Sequence, residues 1–410
     1  MLYRHAGWAS ALAWVMCGTV RDRNEVNELT TIYHVLTPGD HYSPRTGSAL
    51  PTVVHGLAKA ALSLGAEAQF RQKVVVAAGT YEPRYESAEP LLYAPSPAPA
   101  RHRRYLDMGL GRVGLPRHAS ATYFAPIAER IEREEPGVVL AHNAPLLPWL
   151  LRGSRHRVIV YAHNDLLRSY GRIEASRSLR NMSQLICVSQ ALASQLALTL
   201  PASMRDRIRV VPNGVDTQQF RPVSEREAGP LRVMFLGRAI PQKGADILLA
   251  AAVKLQRSDI HYLIIGSHEF NRSAALSKYE QRLRRLAAET VSRVDFEPFV
   301  DRTRLPALLQ RADIIVVPSR WAEPSGLTVG EGLATGVPVI AAASGGIPEV
   351  LGDAGILFDP GRPDELAHAI QRLADDPDSR RELGLAARSR AEQHDWSWSW
   401  QQLRDLLEQE

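Results

Sequence analysis

The stretch "DIIVVPSRWAEPSGLTVGEGLATGVPVIAA", residues 313 to 342, contains a strand, a helix and a second strand in one short run. "DIIVV" and "VPVIAA" are the β-branched, apolar runs typical of strands that are buried on both faces. Between them Pro324, Ser325 and Gly326 break the chain, and a helical segment begins at Leu327. Two buried strands joined by a helix predict a parallel βαβ unit, and therefore an α/β fold.

The same alternation continues on both sides of this unit. In the first half of the chain the strand candidates are "IYHVL", "KVVVAA", "VVLA", "RVIVYA", "LICVS" and "IRVV". In the second half they are "LRVMFLG", "HYLIIG", "RVDF", "DIIVVPS", "VPVIAA" and "GILFD". Amphipathic helical segments separate these runs, as in parallel sheets that are covered on both faces. The pattern predicts two Rossmann-like, doubly wound units in tandem.

The polar, proline-flanked segment "RPVSEREAGP", residues 221 to 230, is the predicted linker between the two units. We therefore expect an uncertain N-terminal extension over residues 1–30, a first Rossmann-like domain that binds the acceptor over 31–225, and a second that binds the nucleotide sugar over 226–390. A closing amphipathic helix with three tryptophans at its start is expected over 391–410, and core or interdomain packing is the expected role of those tryptophans.

Composition limits the class of protein. The chain has 410 residues, 45% hydrophobic and 23% charged, which is ordinary for a globular protein of two domains. Its formal charge of +5 comes mostly from scattered arginines and suits an anionic ligand or loose attraction to an acidic membrane. Without a basic-aromatic stripe or a finger pattern, nucleic-acid binding is not favoured.

Cys17 and Cys187 are too few for a disulfide framework and wrongly spaced for a thiolate metal site, so we expect a reducing, cytoplasmic location with at most peripheral membrane contact. The apolar segment from Ala6 to Val20 lacks a small-residue cleavage site, and a packed extension is favoured over a targeting signal. Between Gly79 and Ser120 the periodicity fails. A solvated insertion, as a long loop or several short elements, is favoured there over an acceptor-binding surface.

Ligands of open parallel sheets bind beyond the carboxyl ends of the strands. Arg238 and Lys243 follow the strand "VMFLG", and Gly326 precedes the helix that begins at Leu327. The free N–H groups at that helix N-terminus favour an anion, and a glycine there lets a phosphate come close to the backbone. Two cationic side chains and a helix N-terminus together predict a diphosphate pocket.

Glu323 and Glu331 flank this break, with seven residues between them. A carboxylate suits vicinal hydroxyls because it offers two acceptor oxygens. Glu323 precedes the helix and could reach sugar hydroxyls, whereas Glu331 lies one turn inside it and could accept from a ribose. The alternative is that both acids only complement the helix dipole, and the neighbouring Arg238 and Lys243 favour ligand binding over it.

Four stretches closely resemble the retaining nucleotide-sugar glycosyltransferases of family 4: "VVPNGVDTQQFRP", "FLGRAIPQKGADILLAA", "EPSGLTVGEGLATGVPVIAAASGGIPEVL" and "GILFDPGRPDELAHAI". The resemblance implies the GT-B fold, in which two Rossmann-like domains face a central cleft and the C-terminal helix crosses back to the first domain. Glu323 and Glu331 match that family's Glu-x7-Glu motif, with the sugar on Glu323 and the ribose on Glu331.

The resemblance also implies roles for further residues. Arg238 and Lys243 would bind the donor diphosphate, and the segment of Ser325, Gly326, Leu327 and Thr328 the distal phosphate. Phe299 and Val300 match the loop that meets the base. Gly47 occupies the glycine-rich loop after the first strand, although Gly47-Ser48 replaces the usual glycine pair. His163 matches the histidine beside the reacting carbon of the sugar, whereas His142 in the pair His142-Asn143 is interpreted as a structural histidine.

The resemblance implies a retaining, metal-independent transfer of a hexose-type sugar from a nucleoside diphosphate, with UDP expected, and no cofactor. The acceptor stays open among a cell-envelope glycan, a lipid-linked saccharide and a specialised metabolite such as an aminoglycoside. A polar acceptor is favoured, because no strongly amphipathic basic helix is evident beside the Gly47 loop. The alternatives are an inactive sugar-nucleotide-binding or scaffold protein and a GT-B epimerase. The oligomeric state is left open.

Overall fold

The computed structural model describes residues 29–115, 117–223, 229–269 and 273–409. Two parallel sheets make up its framework, and helices pack on both faces of each. The first sheet has seven strands in the order β3-β2-β1-β4-β5-β6-β7, and the second has six in the order β10-β9-β8-β11-β12-β13. The predicted α/β architecture of two doubly wound, Rossmann-like domains is confirmed. The expected extension over 1–30 lies almost wholly outside the described residues, as does the middle of the expected linker.

The strands are β1 Thr30–Val35, β2 Phe70–Ala77, β3 Glu89–Tyr93, β4 Gly137–His142, β5 Arg157–Ala162, β6 Leu185–Cys187, β7 Ile208–Val210, β8 Leu231–Leu236, β9 Ile260–Ile265, β10 Arg293–Glu297, β11 Ile314–Val317, β12 Val339–Ala342 and β13 Ile356–Phe358. Their central members are buried on both faces, which is why they contain continuous runs of Val, Ile and Leu in place of an alternating pattern.

The helices are α1 Ala49–Ser63, α2 Arg101–Arg112, α3 His118–Glu132, α4 Leu147–Leu150, α5 Arg172–Leu179, α6 Gln190–Thr199, α7 Ala202–Arg205, α8 Ala245–Leu255, α9 Lys278–Ala287, α10 Leu305–Leu309, α11 Leu327–Ala334, α12 Ile347–Leu351, α13 Pro363–Asp375, α14 Pro377–Gln393 and α15 Trp396–Glu408. Short 3-10 helices cover Ala66–Ala68, Pro241–Lys243 and Arg302–Arg304. Within the described ranges, no helix combines the length and the apolarity needed to cross a bilayer.

The segment from Gly79 to Ser120 forms several short elements, as one of the two sequence alternatives had it, but one of them, β3, is part of the first sheet and not of a solvated insertion. β3 pairs in parallel with β2 and forms the edge of the first sheet, and Leu91 and Tyr93 are buried. Helices α2 and the start of α3 follow it. The strand was missed because "EPLLY" is short and contains a proline, which an edge strand tolerates better than a central one.

The C-terminal helix crosses back to the first domain. α14 packs on α11 of the second domain, whereas α15 packs on α1 of the first. Trp400 and Leu403 of α15 are fully buried in the core of the first sheet, and Trp396 is nearly so. Each such side chain contributes about 1.5 to 3 kcal/mol by leaving water. The expected core role of the tryptophans therefore holds for Trp396 and Trp400.

Candidate active site

A cleft of about 540 Å³ lies between the two sheets and is lined by both domains. The first domain contributes the loop that precedes α1 and the residues that follow β5. The second domain contributes residues beyond the carboxyl ends of β8, β9, β10 and β11. The twelve residues predicted from the sequence all line this cleft: Gly47, His163, Arg238, Lys243, Phe299, Val300, Glu323, Ser325, Gly326, Leu327, Thr328 and Glu331. Their individual roles stay predictions.

The topology of the second sheet explains this convergence. Arg238, Ser267, Phe299 and Ser319 each stand two residues after the end of β8, β9, β10 and β11 respectively. Because these strands are parallel and adjacent, their carboxyl ends meet at one edge of the sheet. Residues far apart in sequence are thereby brought to one wall of the cleft.

Glycine is needed where the chain enters α11. Gly326 has φ of +98°, a conformation that residues with a side chain rarely adopt, and it is the N-cap of the helix that starts at Leu327. No side chain caps this end of α11. The first amides of the helix, Leu327 and Thr328, therefore stand at the cleft with the positive end of the helix dipole.

Glu323 is held by two side chains at the end of β11. Its Oε1 lies 2.6 Å from Nζ of Lys243 and accepts a hydrogen bond of 2.6 Å from the hydroxyl of Ser319. The carboxylate is buried, whereas the Lys243 side chain is 35% exposed and reaches the cleft. Lys243 therefore joins the predicted phosphate end of the site to the predicted sugar end.

Glu331 has a partner that the sequence did not indicate. Nη2 of Arg302 lies 2.5 Å from Glu331 Oε1, and both side chains are largely buried. Arg302 begins the 3-10 helix that follows the loop of Phe299 and Val300, and it also lines the cleft. The pair fixes one oxygen of Glu331.

Arg238 is oriented by the backbone of the neighbouring loop. Its Nη2 and Nε donate to the carbonyl oxygen of His268 over 2.9 and 3.2 Å. The side chain of Ser267 accepts from the amide of Phe299 over 3.1 Å and ties the loops after β9 and β10 together. These contacts position the cationic group and the loop predicted to meet the base.

A line of three histidines, two fully buried and the third half-buried, runs through the first domain to the cleft. Nε2 of His34 lies 2.8 Å from Gln72 Oε1, and Nδ1 of His34 lies 3.0 Å from His142 Nε2. Nδ1 of His142 in turn lies 2.7 Å from His163 Nε2. Burial lowers the pKa of His34 to about 4 and that of His163 to about 3, and it holds the pKa of His142 well below its ordinary value. All three rings are therefore neutral near pH 7.

Because the three rings are neutral, the donor and the acceptor of each hydrogen bond in this line can be assigned. The Gln72 carbonyl can only accept, so the proton of His34 is on Nε2 and its Nδ1 accepts from His142. The proton of His142 is then on Nε2, and His163 donates from Nε2. His163 Nδ1, which is buried with no hydrogen-bond partner among the described residues, keeps its lone pair. His142 is thus a structural histidine, as interpreted from the sequence, but one that orients His163.

Asn143 fixes the backbone at the same place. It has φ of +52°, unusual for a residue other than glycine, and its side-chain oxygen accepts from the amide of His163 over 2.8 Å. Strained residues of this kind cluster at functional sites. The second residue of the pair His142-Asn143 therefore also acts on His163.

Glu349 connects the two domains on one side of the cleft. Its two carboxylate oxygens accept from the amides of Gln190 and Ala191 over 2.7 and 2.8 Å. These are the first two residues of α6 in the first domain, and the Ser189 hydroxyl accepts from the third amide, that of Leu192. A carboxylate of one domain thus caps a helix of the other.

Two family models together match residues 51–390 of the chain. One, described as glycosyl transferases group 1, matches residues 216–390, and the other, described as glycosyltransferase family 4, matches residues 51–219. The chain belongs to the group 1 glycosyltransferases. This result confirms the family that the sequence motifs resembled.

Two relatives and one solved structure illustrate the range of this glycosyltransferase family. The spore coat protein SA of Bacillus subtilis is 29% identical over 61% of this chain and 70% of its own length. A D-inositol 3-phosphate glycosyltransferase of Acidothermus cellulolyticus is 37% identical over 47% of this chain and 45% of its own. The structure of Anabaena HepE with UDP and glucose superposes with a TM-score of 0.70 at 19% identity, over 93% of this chain and 100% of that one.

The chain spans about half the length of most of the curated relatives that it matches. The structural likeness, at 19% and 21% identity, identifies the GT-B fold. Sequence reasoning missed Arg302, Ser319, Gln72, His34 and Glu349. The strand-end rule could have indicated Ser319, since it follows β11 directly. The others are brought to the site only by tertiary contacts.

Proposed function

We propose that this chain transfers a hexose-type sugar from a nucleoside diphosphate, UDP in the first instance, to a hydroxyl of a polar small molecule or glycan, with retention of anomeric configuration. One observation carries the proposal. Lys243, which lies at the cationic end of the cleft, is in direct contact with Glu323, and the first amides of α11 stand between Glu323 and Glu331. Diphosphate, sugar and ribose can therefore bind side by side.

The diphosphate would bind to Arg238, Lys243 and the N-terminus of α11. Each donor is fixed before the reaction, Arg238 by a backbone carbonyl and Lys243 by Glu323. Negative charge grows on the leaving phosphate as the bond to the sugar breaks, and preorganised donors stabilise such charge most effectively. These cations supply the role that a divalent metal plays elsewhere, so we expect activity in the presence of excess EDTA.

The nucleoside would bind further along the same wall. Glu331, oriented by Arg302, would accept hydrogen bonds from the ribose hydroxyls. The loop of Phe299 and Val300, tied to Ser267, would meet the base through its backbone. UDP is proposed because Anabaena HepE, which shares the fold, was crystallised with UDP and glucose.

The sugar would lie between Glu323 and His163, with one residue from each domain. Glu323 would hold sugar hydroxyls, and His163 would present a neutral ring beside the reacting carbon. The acceptor would attack from the face that the diphosphate leaves, and the leaving phosphate oxygen would take the proton of the acceptor hydroxyl. The new glycosidic bond then replaces the sugar–phosphate bond on the same face.

The proposal is tested by binding first and by turnover second. Calorimetry with UDP, GDP and ADP would identify the base, and we expect UDP to bind without added metal. Incubation of the preferred sugar nucleotide with a panel of glycan and small-molecule acceptors should then give a product whose anomeric proton coupling in NMR shows retention. Inversion would contradict the mechanism. Binding without transfer to any acceptor or to water would indicate a sugar-nucleotide-binding protein.

A further inference from the structure

Helix α2 presents an exposed face that combines apolar and basic side chains. Tyr105 and Leu106 are 57% and 63% exposed, and Val113, directly after the helix, is 71% exposed. Positions 105, 106 and 113 lie on one side of a helix, because seven or eight residues make two turns. A surface helix normally turns such a stripe toward the core. Here the stripe faces outward.

The apolar surface continues onto α5. Leu115 is 50% exposed, and Ile173 in the first turn of α5 is 61% exposed, with its side chain against Gly114. We call Tyr105, Leu106, Val113, Leu115 and Ile173 the α2 patch. Single exposed apolar residues are normal, but a contiguous group of them marks an interaction surface.

The exposed charged side chains of α2 have one sign. Arg101, Arg103, Arg104 and Arg112 are exposed on α2. The acidic residue of this helix, Asp107, points inward and is buried, and its carboxylate accepts from the amides of Ala119 and Ser120 at the start of α3.

Glu174, in the first turn of α5, is also buried, and it pairs with Arg117 over 3.1 Å between Nη2 and Oε2. The acids of this region are thus satisfied internally, and the arginines face outward.

We propose that the α2 patch and its arginines dock on the surface of an anionic lipid bilayer. Aromatic and aliphatic side chains among arginines are the composition of helices that lie in the interface between headgroups and acyl chains. Each arginine near an anionic surface adds favourable electrostatic energy, and the apolar side chains add burial. A protein partner of net negative charge would need an apolar surface of matching shape. Docking on an anionic bilayer requires only apolar side chains among exposed arginines, with no matching shape.

The position of the patch connects docking to the cleft. Gly171, at the start of α5, lies against the backbone of Arg112, and the loop that ends at Gly171 begins at His163. One loop of the first domain therefore runs from the cleft to the patch. The docking itself does not depend on glycosyl transfer, and it is measured without substrates.

The experiment is vesicle flotation with the full chain. Wild type should float with vesicles of phosphatidylcholine and phosphatidylglycerol in equal parts, and it should stay unbound with phosphatidylcholine alone. Raising salt to 0.5 M should release most of it, since exposed charges are then screened. The double variant Leu106→Ser/Val113→Ser and the double variant Arg103→Glu/Arg104→Glu should each weaken binding by about tenfold or more.

A matched control lies on another exposed surface. Leu385→Ser, on α14 of the second domain, removes a similarly exposed leucine and should leave binding unchanged. UDP affinity and melting temperature should be the same in all variants, because none of these residues lines the cleft. Absence of binding to anionic vesicles, equal binding to neutral vesicles, or unchanged binding in both double variants would overturn the proposal. So would a dimer in sedimentation that Leu106→Ser/Val113→Ser dissociates, because the patch would then be a subunit interface.

Discussion

The ammonium of Lys243 lies 2.6 Å from a carboxylate oxygen of Glu323. The two residues come from different strand ends of the second sheet, and the sequence assigned them to different parts of the donor, the phosphate and the sugar. In the structure each orients the other. Their contributions to sugar transfer are therefore expected to be coupled.

Lys243→Ala should lower kcat/KM by about 10² to 10³, since loss of one preorganised donor typically costs about 2.7 to 4 kcal/mol of transition-state stabilisation. Glu323→Gln should also slow transfer, and the double variant should be less impaired than the sum of the two single effects, because paired residues are not additive. Lys254→Ala, at an exposed lysine of α8, is the control. Additive effects would show that the pair does not act as a unit.

Substitutions of Glu331 and of Glu323 should have different effects on UDP affinity. Glu331→Gln and Arg302→Met should each weaken UDP binding by about 1.5 to 3 kcal/mol, the value of a hydrogen bond to a charged group. Glu323→Gln should leave UDP affinity nearly unchanged and reduce turnover. Calorimetry and steady-state kinetics measure the two effects. If both glutamate variants changed UDP affinity equally and by less than about 1 kcal/mol, the acids would serve only the helix dipole.

The histidine line predicts a pH dependence of stability. In the unfolded chain these imidazoles take up protons near pH 6.5, but in the folded protein burial lowers the pKa of His34 to about 4 and that of His163 to about 3. Below pH 6.5 the unfolded state therefore binds more protons, and the free energy of unfolding falls as pH falls toward 4. Each histidine contributes up to about 1.4 kcal/mol per pH unit.

Urea denaturation of wild type and His142→Gln between pH 8 and 4.5 tests this dependence. The pKa of His142 is also held well below its ordinary value, so the variant should lose stability less steeply below pH 6.5. The two profiles should be parallel between pH 7.5 and 8. Equal slopes in the acid range would mean that His142 is protonated in the folded protein.

Glu349 should hold the two domains in their present arrangement. Glu349→Ala removes both hydrogen bonds to the N-terminus of α6, and a more open average shape should follow, measured as a larger radius of gyration by small-angle X-ray scattering. Glu365→Ala is a matched control, because that carboxylate accepts from the amide of Asp359 within the second domain. Identical scattering of both variants and wild type would indicate that other contacts suffice.

Gly56→Ala should destabilise the protein, although alanine is the better helix former. A Cβ at Gly56 of α1 would overlap the Trp396 ring, so α15 must shift, at a cost of about 1 to 3 kcal/mol. The control is Gly109→Ala in α2, where nothing lies within 4 Å of the added Cβ and a gain of up to about 1 kcal/mol is expected. Thermal unfolding compares the two. Stabilisation by both changes would mean that α15 adapts without cost.

Sequence patterns predicted the elements of the fold that can be recognised from their own residues. Twelve of the thirteen strands among the described residues were predicted, and the signal was clearest in the central strands, where burial on both faces leaves a continuous apolar run. β3 and α2 left weaker signals. β3 is an edge strand with Pro90, and α2 exposes much of its surface, so neither has the expected periodicity.

The site residues likewise fall into those that local sequence predicts and those that depend on tertiary contacts. Arg238, Glu323 and Gly326 could be predicted because the ends of parallel strands meet at one edge. Arg302 could not, since its pairing with Glu331 depends on how the loop after β10 folds over α11. The contact of His34 with His142 depends on β1 lying beside β4, which the order of strands along the chain does not reveal.

Helix α15 has a consequence for synthesis on the ribosome. Domains generally fold as units during translation, the first to emerge folding first. The core of the first domain includes Trp396, Trp400 and Leu403, and the whole second domain must be translated before these residues exist. Until α15 is translated, the surface of the first domain around Gly56 therefore stays uncovered. During that time a chaperone could bind it. Ribosome-bound chains that stop before residue 395 should bind such a chaperone longer than chains that extend beyond residue 408.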